Sequence, residues 1–69
     1  MADTLGDALP REIARVRDEV MPAYQDIGPA GYFVIGAMQA DIAHANDAIA
    51  AGDIVAMARA YARLTEYTT

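Results

Sequence analysis

The chain contains no cysteine, no serine and no lysine. Without cysteine there is neither a disulfide framework nor a thiolate metal site, so two of the usual staples of a small fold are missing. Without serine, cysteine or lysine, covalent catalysis has almost no raw material, and threonine occurs only near the ends, at Thr4, Thr65, Thr68 and Thr69. All five basic residues are arginines confined to two places, Arg11, Arg15 and Arg17 and then Arg59 and Arg63, within a net charge of -5. Phosphate binding needs a concentrated positive face, so no nucleic-acid ligand is expected. An acidic surface suits a basic partner, or simply keeps the chain in solution. Long hydrophobic runs are absent too: Ala30 to Met38 ends at Asp41, far short of the ~20 residues of a membrane span. The acidic start, Met1 to Asp7, lacks the basic and apolar segments of a secretory signal, and a cytoplasmic setting is expected.

What the chain does have is alanine. Hydrophobic residues make up 55% of the 69 positions, but alanine buries little area, at roughly 25 cal/mol per Å². A single domain of this size sits near the lower limit of self-sufficiency, which leaves association as the remaining staple.

Gly28-Pro29 and Gly52-Asp53 punctuate the chain into three helical segments, expected at about residues 8–24, 29–51 and 53–66. In the first, Leu9, Ile13, Val16, Val20, Ala23 or Tyr24, and Ile27 recur at steps of three or four, opposite Arg11, Glu12, Arg15, Asp18 and Glu19. Asp7 is placed to cap this helix and Pro10 to lie in its first turn. Pro22 removes a hydrogen bond to the Asp18 carbonyl, which predicts a kink or break near Met21.

The second helix is the spine, roughly 33 Å long at about 1.5 Å per residue. Its apolar stripe is expected to be Val34, Met38, Ile42, Ala45 and Ile49, with Ile35 at the margin. Tyr32, Phe33, Gly36, Ala40 and Ala43 gather on the other side, where small residues allow close approach of another backbone. Asp53 caps the third helix. The minimal linker then favours an antiparallel hairpin with Ile54, Met57, Tyr61 and Leu64 facing the spine and Arg59, Arg63 and Glu66 facing water. Residues 65–69 are expected to fray, with Tyr67 ordered only if covered.

His44, the only histidine, stands three residues from both Asp41 and Asp47 on one helix face. A di-metal carboxylate bundle needs several glutamates and paired Glu-x-x-His motifs, and the second helix has no glutamate, so a solvated polar face is the better reading and no metal or cofactor is expected. Glu12, Arg15 and Glu19 at steps of three and four read as ordinary surface pairs. Gly28-Pro29-Ala30-Gly31 lacks the strand and lysine of a phosphate loop and reads as helix punctuation. The aromatic residues speak more strongly, because Tyr24, Tyr32, Phe33, Tyr61 and Tyr67 exceed what one small hairpin core absorbs. Tyrosine and arginine are over-represented at binding hot spots, which marks Arg15, Arg17, Tyr24 and Tyr32 as candidate partner contacts. Phe33, Gly36, Ala40 and Ala43 are the candidate dimer interface.

The runs Leu9 to Arg17, Ile27 to Gly31 and Gly52 to Tyr61 resemble short orphan proteins carried by temperate phages and prophages of proteobacteria. Phage proteins of this length and helical character include an early-expressed anti-activator that binds a host quorum-sensing transcription regulator and a pilus-assembly ATPase. The resemblance implies a protein that acts by occupying a surface of a host protein. It supplies no diagnostic motif and therefore no residue roles.

Taken together, these readings predict an all-α fold, a helical hairpin preceded by a short kinked amphipathic helix, assembled into a four-helix-type homodimer core. The expected function is not enzymatic. It is inhibition of a host regulatory protein by surface occlusion, with self-association or assembly with another phage protein as the alternative.

Overall fold

The computed structural model describes residues 4–68, and these residues form helices joined by short turns, with no strand among them. Helix α1 spans Leu5–Arg15 and continues through a π-helical turn, Val16–Val20, into α2, Met21–Ile27. Helix α3 spans Pro29–Ala51 and α4 spans Ile54–Thr65.

The first helix starts earlier than its sequence suggests, because Thr4 rather than Asp7 is the cap. The Thr4 hydroxyl accepts from the Asp7 backbone N–H at 3.2 Å and donates to the Asp7 carboxylate at 2.9 Å, so the two side chains close the first turn together. Pro10 consequently lies inside α1, where it forfeits a bond to the Gly6 carbonyl; both residues are exposed, so water can satisfy that oxygen.

Near Met21, where a kink or break is expected, the helix is unbroken but changes to a π turn. In the widened turn ahead of Pro22 the Met21 N–H reaches the Val16 carbonyl, five residues back, and this relieves the clash that Pro22 would cause in a tight α turn. The chain therefore runs from Leu5 to Ile27 as one arm.

That arm folds back within the chain. α1 packs on α4 and α3, α2 packs on α3, and α3 and α4 form the hairpin. Leu9, Val16, Val20, Met38 and Leu64 are the largest fully buried side chains, joined by Ile13, Met21, Ile35 and Met57. The arm thus contributes the bulky residues that an alanine-rich hairpin lacks. Ile27, expected on the buried stripe, is 60% exposed at the end of α2.

The spine presents a different stripe to this core. Gly31, Ile35, Met38, Ala45 and Ala48 are buried, Val34 and Ile42 only half-buried, and Ile49 is exposed. The face is rotated from the expected one because two elements press on α3 rather than one. Where α2 crosses α3, a Cβ on Gly31 would lie 2.0 Å from the Tyr24 carbonyl oxygen, so only glycine permits this approach. Gly28 and Gly52, at φ 91° and 66°, take the backbone conformations that end α2 and α3. The Asp53 carboxylate accepts from the Ala56 N–H at 3.1 Å and caps α4 as expected. On α4 the buried residues are Met57, Ala60 and Leu64; Tyr61 is half-buried and Ile54 exposed, against expectation, because α4 is wedged between α1 and α3.

Candidate interaction surface

The surface most in need of a partner is the outer face of α3. Phe33 is 87% exposed and Tyr32 60%, and Gly36, Ala37, Ala40 and Ala43 continue the exposed face along the helix. Successive residues turn by about 100°, which places Gly36, Ala40, Ala43 and Asp47 along its centre, with Tyr32 and Phe33 on either side of its first turn. Asp47 is the only formal charge there. The candidate dimer residues Phe33, Gly36, Ala40 and Ala43 therefore share one uncovered, nearly uncharged face, and nothing lies within 4 Å of where a Gly36 Cβ would stand. Ordinary helix surfaces carry charge, whereas this one is apolar along its length with aromatic residues at one end.

The candidate partner contacts separate into two groups. Arg17 is exposed and lies against Asp18, with Nε to Oδ1 at 2.8 Å and Nη2 to Oδ2 at 3.0 Å. This hydrogen bond raises the Arg17 pKa and holds the Asp18 carboxyl below its ordinary value. Tyr32 is exposed beside Phe33 at the start of α3. Tyr24 is half-buried, and its hydroxyl donates to the Thr68 carbonyl at 3.4 Å.

Arg15 is already engaged inside the molecule. Its Nε donates to both Glu12 oxygens at 3.1 Å, and its Nη2 donates to the Leu64 carbonyl at 3.0 Å and the Tyr67 carbonyl at 2.8 Å. A guanidinium at the end of α4 adds a donor to the carbonyls of its last turn and complements the negative end of the helix dipole. The hydrogen bond to Glu12 is the main reason its pKa is raised. Glu12 and Arg15 are thus more than a surface pair: they fasten α1 to the last turn of α4.

Tyr67 is the contact that sequence reasoning missed. Its hydroxyl donates to Asp41 Oδ2 at 2.6 Å, and the ring is half-buried against the core. Burial, and then the bond to the Asp41 carboxylate, push the phenol up to about 12. The segment after α4 is held at three points, by Arg15, Asp41 and Tyr24, instead of fraying through Thr68; Thr69 lies outside the described residues. No periodicity announces a pair 26 residues apart.

Asp41 and His44 also line a groove against α4, with Ala56, Arg59, Ala60 and Arg63 opposite. Among the described residues no three His, Asp or Glu side chains are grouped to hold a metal ion, and no helix is long and apolar enough to cross a membrane. Exposed Ile54 and Val55 add a smaller apolar patch at the start of α4, a feature hidden in the sequence by their place beside the Gly52 turn. No family model, curated protein or solved structure matches the chain.

Proposed function

We propose that this chain is a non-enzymatic interaction protein that self-associates through the outer face of α3 and uses the aromatic rim of that face to occupy a surface of a host regulatory protein. One observation carries the reading: the exposed face headed by Tyr32 and Phe33 bears a single formal charge, Asp47.

That face is complementary to itself when two copies meet antiparallel. With a two-fold axis midway between Gly36 and Ala40, Phe33 stands level with the partner's Ala43 and Gly36 with the partner's Ala40, so a ring meets small residues. Asp47 falls level with the partner's Pro29, both about 14 Å from the axis at roughly 1.5 Å per residue. The α3 N-terminus has Gly28 as its cap and no side-chain acceptor, so the partner's carboxylate would meet the uncompensated positive end of the helix dipole. A charge that would weaken a parallel pairing supports this one. Since the α1–α2 arm closes the core within each chain, dimerisation would add to a finished fold rather than complete it.

Light scattering of the parent protein at tens of micromolar is expected to show a dimer, and Ala40→Arg to show a monomer with unchanged helical circular dichroism, because the close approach leaves no room for the guanidinium. A monomeric parent, or a dimer that survives the substitution, would remove the interface.

Action on a host protein rests on the resemblance to small phage proteins and on exposed Tyr32 at the rim of that face; the quorum-sensing regulator and the pilus-assembly ATPase are its candidate targets. Tyr32→Ala should weaken binding to such a target at least about thirtyfold, or ~2 kcal/mol, as at an interface hot spot. If both targets fail to bind the parent protein in direct titration, the assembly reading replaces inhibition.

A further inference from the structure

The groove between α3 and α4 brings two of the five arginines and the only histidine of a chain with net charge -5 to one place. Arg59 and Arg63 stand one turn apart on α4 and His44 faces them from α3, around a volume of about 230 Å³ floored by Ala56 and Ala60. The remaining wall is Asp41. Its carboxylate is already answered, by the Tyr67 hydroxyl at 2.6 Å and by Arg63 Nη1 at 3.5 Å. Arg59 and His44 make no hydrogen bond or ion pair among the described residues, whereas Arg15 and Arg17 each hold a carboxylate of their own helical arm.

We propose that this groove binds one carboxylate carried on a short aliphatic stem, either a glutamate side chain of an acidic segment or a free aliphatic acid. The charge count selects the ligand. Two arginines against Asp41 leave one positive charge, which balances a carboxylate but not a phosphate dianion. The planar fork of Arg59 matches both carboxylate oxygens, Arg63 and His44 offer further donors, and the two alanines give methylene groups an apolar floor. The groove is complete within one chain, so binding does not depend on self-association.

The test is an NMR titration of the ¹⁵N-labelled full chain with sodium butyrate, butyramide, inorganic phosphate and a blocked tetraglutamate peptide. Butyrate is expected to shift the Arg59 and Arg63 Nε–H signals and the Ala56 and Ala60 amides saturably, while butyramide leaves them in place. Arg59→Ala should weaken butyrate at least tenfold without changing the circular dichroism. Tighter binding of the peptide than of butyrate assigns the carboxylate to an acidic segment, and equal or weaker binding to a free acid; both uphold the site. Shifts that never saturate, equal affinity in Arg59→Ala, or phosphate saturating the same signals at lower concentration than butyrate would overturn it.

Discussion

Gly31 and Gly36 stand on the same helix in opposite surroundings. At Gly31 the Tyr24 carbonyl is so near that a Cβ would meet it at 2.0 Å, and at Gly36 nothing lies within 4 Å. On the inner face the missing side chain lets α2 lie directly on α3, and the approach is already used. On the outer face the same absence leaves a shallow place that the folded chain does not fill. Residue type alone does not distinguish a glycine that completes a fold from one that awaits a partner; the neighbouring backbone does.

The comparison breaks most visibly at Gly31. Gly31→Ala should cost about 3 kcal/mol or more, against a total of ~3–10 kcal/mol for a domain of this size, because its neighbour is backbone and cannot rotate away. Urea denaturation read by circular dichroism measures the loss, and an unchanged midpoint would mean that α2 does not lie against α3 in solution.

A smaller effect is expected at the flank of α3, where Tyr67→Phe removes the hydroxyl bonded to Asp41 and should cost ~1 kcal/mol at neutral pH. The folded-state phenol sits at about 12 and its ordinary value is 10.0. A raised pKa means that the native state holds the proton more tightly, so this contribution is complete below pH 10 and is lost as pH rises towards 12. Parent and Tyr67→Phe stabilities should therefore converge over that interval in chemical denaturation at alkaline pH. A gap that stays constant would remove the Asp41 bond as its source.

The smallest effect sharpens the other side. In dilute solution Gly36→Ala should stabilise the helix, by up to ~1 kcal/mol, since alanine is the better helix former and the added methyl has open space. A lowered melting temperature under those conditions would show that a neighbour already occupies the outer face.

The sequence made the boundaries of the spine and of the last helix legible because they depend on local chemistry: positive-φ glycines at 28 and 52, Pro29 at a helix start, the Asp53 cap. The Leu9, Ile13, Val16 and Val20 stripe was legible for a similar reason, since charged residues mark its opposite face. The buried stripe of α3 was not. A helix built of Ala, Ile, Met and Gly on nearly every side has too little polar contrast to show its orientation, so Ile49 and Val34 looked as eligible as Ile35 and Ala48. Of the interaction surface, the small-residue face and its aromatic head could be picked out from spacing. The role of Arg15 could not, because its acceptors lie 49 and 52 residues away and depend on the arm folding back.

The π turn at Val16–Val20 gives the arm an arithmetic of its own. A turn that spends one extra residue before Met21 shifts everything after it by about 100° relative to an unbroken α-helix. Met21 and Tyr24 reach α3 only with that shift, while Leu9 and Ile13 are set before it. Tightening this turn to α geometry with all its residues kept would turn the second half of the arm away from its seat, whereas deleting one residue among Arg17, Asp18 and Glu19 would let a plain α turn leave Met21 and Tyr24 facing α3. The widened turn is therefore what fits the length of the arm to two seats, one on α4 and one on α3.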